Sequence, residues 1–321
     1  NKRISVIVPF YNSYDSIDLL LKTLKNQTLI PNEVIIINSD EKTIPINYLD
    51  YPFEIIQKKV KKAFPGEARN YGIRIARYEI IAFIDCKTLP RNTWLESYLK
   101  DLLDNNLEIV LATRYTFSTN RFSEYLKFLT YGNNKILSLA GTIGKSEIIM
   151  KNLFNSKIRA GEDLIWINYI KNNQKFIQSK NNLIVYNNLP DTFSKTIRKW
   201  FLYSQHNSTI EGFSEFNRLY YLILFLFIIL FNVFYYYYYL EFYTEYIKIN
   251  IFFMHLILFL FYFLFRGLYR PVFIAKISFL NLLPYKWIQI GFIGVTLDIV
   301  KIPGLITGLL RTLIKRLSLK N

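Results

Sequence analysis

Two acidic positions in this 321-residue chain stand where carboxylates do chemistry. In "FIDCKTLP" an apolar run ends on Asp85, and an Asp at the end of a buried strand is a common place to hold a metal ion. A second Asp two residues on would complete a clamp, but that position is Lys87. In "RAGEDLIWINYIKNN" Gly161 opens a turn, Glu162 and Asp163 follow, and Leu164, Ile165, Ile167 and Ile170 begin a helix. An acidic pair at a helix amino end is also favoured by the dipole alone, so this stretch has a purely structural reading beside the chemical one. In "GEARNYG" Arg69 and Asn70 follow Gly66, and a guanidinium makes forked, charge-assisted bonds to phosphate oxygens.

These residues need a scaffold, and the pattern around them predicts one. Over residues 1 to about 215, short apolar runs alternate with amphipathic ones, the sign of a βαβ domain with a largely parallel sheet. "ISVIVPF", "EVIIINS", "FEIIQ", "EIIAFID" and "LEIVLAT" read as strands, and "SIDLLLKTLKNQ", "GEARNYGIRIA" and "TWLESYLKDLLDNN" as helices. In the first of these helices Leu19, Leu20, Leu21 and Leu24 fall on or beside the buried stripe. Pro9 ends the first strand at its carboxyl edge, where open α/β sheets bind ligands, so Tyr11 and Asn12 are expected over a nucleotide.

The remainder, 216–321, is of another kind. Hydrophobic residues make up 51% of the chain and aromatics 17%, and the excess lies in this part. Residues 219–240 carry no charge, a run of about 22 that spans a hydrocarbon core of about 30 Å. A second uncharged run covers 249–265. Glu241, Glu245 and Lys248 lie between the two, Arg218 precedes them, and Arg266, Arg270 and Lys276 follow, so the positive-inside rule puts the amino-terminal domain in the cytoplasm. The amino end has an apolar run too short for a signal peptide, which agrees. Residues 270–318 are apolar but interrupted by Asp298 and Lys301 and are expected to break at Pro303. Charges at mid-membrane cost about 2.5–3.5 kcal/mol each, which favours helices lying in the interface, with a third span as the alternative. The net charge of +16 fits a face on anionic lipid, since no nucleic-acid module is present. A lone cysteine, Cys86, excludes an intramolecular disulfide. None of these patterns bears on oligomeric state.

The order "VIVPFYNSYDSIDLLLKTLKNQTLIPNEVIIINSD", "GEARNYGIRIARYEIIAFIDCKTLPRNTWLE" and "AGEDLIW" resembles the family-2 glycosyltransferases, inverting sugar transferases of the GT-A fold. The resemblance covers about residues 3 to 210. It implies a Rossmann-like, nucleotide-diphospho-sugar transferase domain followed by an all-helical transmembrane or interfacial region. In this family the second strand ends in acidic residues that contact base and ribose; those positions are Asn38, Ser39 and Asp40. Arg69 and Asn70 fall close to the nucleotide diphosphate. Asp85 matches the first acidic residue of the DxD motif, which holds magnesium or manganese on the diphosphate. A lone carboxylate is a poor magnesium site, and Lys87 weakens it further by like-charge repulsion. Three readings stay open: a cation held by Asp85 and the diphosphate, Lys87 neutralising the diphosphate, or an inactive protein. The resemblance makes Asp163 the general base and Glu162 its neighbour at the acceptor.

In "TIRKWFLYSQHN", Arg198 and Trp200 resemble the end of a motif of processive members, but Lys195 replaces its Gln. The segment is expected to be an amphipathic connector closing over the donor phosphates. The expected partners are a nucleotide-diphosphate sugar, membrane lipids and a membrane-associated acceptor. That acceptor is a lipid-linked glycan or, alternatively, polyprenyl phosphate; a non-catalytic sugar-nucleotide-binding scaffold is the rival of another class. The expected location is the plasma membrane.

Overall fold

A strand covered on both faces needs a nearly continuous apolar run, and the first, second and fourth strands of this chain, which have such runs, lie side by side in its sheet. The structure, a computed structural model, describes residues 2–181, 183–187, 189–207, 224, 226–233, 235 and 245–318. It divides into two compact units, 1–118 with 134–189, and 119–133 with 190–321.

In the first unit β1 (Ile4–Phe10), β2 (Glu33–Asn38), β3 (Glu54–Lys59) and β4 (Ile80–Phe83) are parallel, in the order β3-β2-β1-β4. Beyond β4 the sheet continues through β7 (Ile136–Lys145), β6 (Ile109–Thr116), β9 (Ile184–Tyr186) and β5 (Thr88–Pro90), with β8 (Phe176–Gln178) beside β6. β7 runs antiparallel to both its neighbours, which turns a doubly wound half into a mixed sheet. Alternate residues of β1 face opposite layers. Val6, Val8 and Phe10 share a core with α1 (Tyr14–Lys25) and α3 (Trp94–Asp104), while Ile7 packs with Ile73 of α2 (Pro65–Ile75), Ile149 of α5 (Ser146–Lys151) and Trp166 of α6 (Glu162–Asn173). The buried stripe of α1 is Ile17, Leu20, Leu21 and Leu24, an i, i+3, i+4, i+7 set; Leu19 falls off it and is 48% exposed.

Because β1, β2 and β4 are parallel, their carboxyl ends share one edge of the sheet. Phe10 is in register with Asn38, and Ile7 with Phe83. The loops after Phe10, Asn38 and Phe83 therefore open at the edge where such sheets bind ligands.

The second unit contains α4 (Arg121–Thr130), α7 (Phe193–Asn207), α8 (Glu245–Leu264) with a π-helical continuation Phe265–Ile274, and α9 (Lys286–Ser318). Two of its helical stretches, Phe252–Ile274 and Lys286–Arg311, are long and apolar enough to cross a membrane. Most of the span expected at 219–240 lies outside the described residues; 224, 226–233 and 235 are helical.

The break expected at Pro303 does not occur, and α9 continues for fifteen residues beyond it. A proline inside a helix removes one backbone bond and crowds the carbonyl four residues back, at about 3 kcal/mol. Packing along α7 offsets this. Ser204 Oγ donates to Lys301 O at 2.7 Å, Gln205 Nε2 donates to Thr307 Oγ1 at 3.0 Å, and Gly304 lies so close that a Cβ would sit 2.6 Å from Phe201 O.

The charges that argued against a span are paired. Asp298 is buried, with Arg266 Nε at 2.9 Å, Lys301 Nζ at 3.2 Å and the Tyr262 hydroxyl donating at 2.6 Å. Pairing of this kind lowers the insertion cost of each charge, so these charges by themselves do not exclude a span.

Candidate functional site

At the carboxyl edge of the sheet one guanidinium joins two carboxylates from distant elements. Arg69 lies on α2, whose Gly66, Ala68, Asn70 and Ile73 are also buried. Its Nη2 donates to Asp85 Oδ1, just past β4, at 2.9 Å, and its Nη1 donates to Glu162 Oε1, the first residue of α6, at 2.8 Å. Asp163 follows in the same turn, half-buried, its Oδ1 accepting from Leu164 N at 2.9 Å. Gly161 allows this start of α6 by adopting the left-handed region, φ 87°, where a Cβ is disfavoured.

The charges set each other's ionisation. Burial by itself lowers the Arg69 pKa, but Asp85, Glu162 and Asp163 outweigh it and the guanidinium stays charged, above its usual range. Burial pushes the Glu162 carboxyl up and the like charge of Asp163 adds to the shift, while Arg69 pulls the other way without cancelling it.

The other residues expected at the donor separate into exposed groups and groups that hold them. Tyr11 is 67% exposed beyond Pro9, and Asn12 has φ 43°, a left-handed position tolerated by Asn and found at ligand loops. Asp40 accepts from Glu41 N at 2.7 Å and from the Tyr14 hydroxyl at 3.0 Å, which hold its carboxyl below the usual range. Asn38 is fully buried, and its amide is spent within its own loop: Nδ2 donates to Lys42 O at 2.8 Å and Oδ1 accepts from Asp40 N at 2.9 Å. Asn70 behaves likewise, exchanging two 2.9 Å bonds with the backbone N and O of Phe154. Both asparagines shape the edge from beneath. Tyr14 and Phe154 belong to this architecture and are not among the residues that sequence singles out. No local signal ties Tyr14 to Asp40, 26 positions away, or Asn70 to Phe154, 84 away.

Lys87 sits in a tight turn in which Thr88 N donates to Asp85 O at 2.9 Å, and its own carbonyl accepts from Asn187 N at 3.1 Å. Lys87 is half-buried, and its ammonium has no hydrogen-bond or ion-pair partner among the described residues. Cys86 between them is buried, its thiol pushed up to about 12 by burial, which leaves it unreactive.

The divalent cation that the resemblance implies does not fit this donor set. Asp85 is a single carboxylate with an oxygen engaged by Arg69, a cation occupies the position of the second acid, and no group of three His, Cys, Asp or Glu among the described residues could hold an ion.

Arg198 and Trp200 fall in the second unit, on α7. Trp200 is buried beside Tyr203. Arg198 is exposed on an otherwise mainly apolar groove of about 550 Å³ lined by Phe193, Ile197, Phe201, Val300 and Pro303.

Residues 5–157 match the model described as "Glycosyl transferase family 2". The chondroitin synthase of Escherichia coli is 29% identical over 177 residues, 53% of this chain and 24% of that protein. The poly(ribitol-phosphate) beta-glucosyltransferase of Bacillus spizizenii (strain ATCC 23059 / NRRL B-14472 / W23) is 26% identical over 181 residues, 51% of this chain and 28% of that protein. The chain thus spans only about a quarter of the length of these curated relatives. Among solved structures, S. aureus TarS 1-349 in complex with UDP-GlcNAc aligns over 65% of this chain and 67% of that one, with 15% identity and a TM-score of 0.47.

Proposed function

We propose that this chain, whose residues 5–157 match glycosyl transferase family 2, transfers a sugar, with inversion, from a nucleotide-diphosphate sugar to a membrane-associated acceptor. The observation that carries this reading is the Arg69 bridge. It draws the end of β4 and the start of α6 to one point, so that Asp85 and the Glu162–Asp163 pair flank the same space. A direct displacement needs a base on one side of the anomeric carbon and charge stabilisation for the leaving diphosphate on the other. Asp163 takes the proton of the acceptor hydroxyl as its oxygen bonds to the anomeric carbon, and the bond to the diphosphate oxygen breaks with its electron pair leaving on the nucleotide. Tyr11, Asn12 and Asp40 contact the nucleoside, with Asn38 and Asn70 holding the loops beneath. Matches to polymer-forming and polymer-decorating enzymes support a glycan acceptor, and the apolar helices of the second unit support one that is lipid-linked and met at the cytoplasmic face of the plasma membrane. Confinement there raises its effective concentration.

A polyprenyl phosphate acceptor is the second reading, favoured by the apolar groove that carries Arg198. The test is incubation of the detergent-extracted full chain with a panel of sugar nucleotides, with lipid-linked glycans and polyprenyl phosphate as separate acceptors. Sugar transfer from one donor to either acceptor supports the reading. Intact nucleotide binding with no transfer and no donor hydrolysis overturns it in favour of a scaffold.

A further inference from the structure

We infer that this site binds the donor's diphosphate without a divalent cation, using the Lys87 ammonium as the neutralising charge. The inference rests on the donor-site reading above and adds the electrostatics of that site. Asp85 Oδ1 is already met by a guanidinium at 2.9 Å, and Arg69 spends its other terminal nitrogen on Glu162 at 2.8 Å. An incoming metal would have to compete with a buried, permanently charged group for one oxygen, and would face a second cation two residues on. The arginine is occupied with carboxylates, so it is not the free phosphate ligand that its sequence context implies. Lys87 is the cation left at this turn: half-buried, without a partner among the described residues, its carbonyl held by Asn187 N and its turn closed by the bond from Thr88 N to Asp85 O. A lysine ammonium is a compact point charge with three donors on a flexible stem, suited to diphosphate oxygens that gain charge as the glycosidic bond breaks. Arg69 is then a positioning residue, keeping Asp85 and Glu162 in place rather than touching the donor.

The experiment is calorimetric titration of the detergent-solubilised full chain with UDP and with GDP, in chelator and again in manganese. The wild type is expected to bind one of the two equally well in both conditions. Lys87→Ala should weaken that affinity by about tenfold or more, the loss of one charge-assisted contact, while Lys87→Arg keeps most of it. Unfolding curves of both variants check that the fold is intact, and Lys87→Asp should bind only when manganese is present. Binding by the wild type that vanishes in chelator, or an unchanged affinity in Lys87→Ala, overturns the inference while leaving the donor site standing. Binding of neither nucleotide in any condition overturns the donor-site reading and this inference with it.

Discussion

Arg69 and Glu162, 93 positions apart, form a 2.8 Å ion pair in which both side chains are almost wholly buried. The same guanidinium also reaches Asp85, so the pair ties the end of β4 to the start of α6.

Replacing Arg69 by Met leaves Glu162 buried with no counter-charge, and the expected loss is about 3 kcal/mol at neutral pH. The deficit should depend on pH. Burial raises the folded-state pKa of Glu162 above that of the unfolded chain, with Arg69 opposing; without Arg69 it rises further. Stability from a raised carboxyl is present below the unfolded pKa and lost as pH rises through the folded one. Unfolding of the full chain in detergent should therefore show a smaller deficit near about pH 5 than near about pH 8. An equal deficit at both would mean that Glu162 is not the group left uncompensated.

Asp163→Asn separates base from helix cap. As general base, its loss should lower turnover by about 10²–10⁴-fold with nucleotide affinity intact. As an acidic residue at a helix start, its loss costs at most about 1 kcal/mol of stability and leaves turnover alone. Steady-state kinetics beside a melting curve decide between the two.

Asn38→Ala strips the 38–42 loop of both side-chain bonds that shape it. Leaving Asp40 N and Lys42 O without these partners should cost about 1–3 kcal/mol and weaken nucleotide binding through the displacement of Asp40. Unchanged affinity in a titration would show that this loop does not touch the donor.

Asp298→Ala leaves the buried Arg266 and the half-buried Lys301 without the carboxylate they share. Thermal unfolding of the solubilised chain should report a loss of about 3–5 kcal/mol, and the double change Arg266→Met with Asp298→Leu should recover most of it. A single variant as stable as the parent would argue that the cluster is hydrated rather than enclosed.

The parts of this protein legible in its sequence are those whose physics is local and periodic. β1, β2 and β4 announce themselves as continuous apolar runs because a parallel strand is covered on both faces. The start of α6 is visible in Gly161 followed by two acids, since φ above zero and the helix dipole each select residue types. β7 is not visible in the same way: Ser138, Gly141, Thr142 and Gly144 dilute its apolar signal, and it becomes a strand by pairing between β4 and β6. The residue types of the site are legible as well, including the lysine where an acid is expected. Their partners are not. An arginine fork serves phosphate and carboxylate equally, an asparagine amide serves ligand and backbone equally, and a charge in an apolar helix is costly alone but stable when paired. Arg69, Asn38, Asn70 and Asp298 each had both options, and each was decided by what the fold brought within hydrogen-bonding distance, at separations from 2 to 93 residues. Sequence determines which groups exist and which stretches must be buried; tertiary structure alone decides which groups meet, because a contact energy depends on distance in space and periodicity carries none.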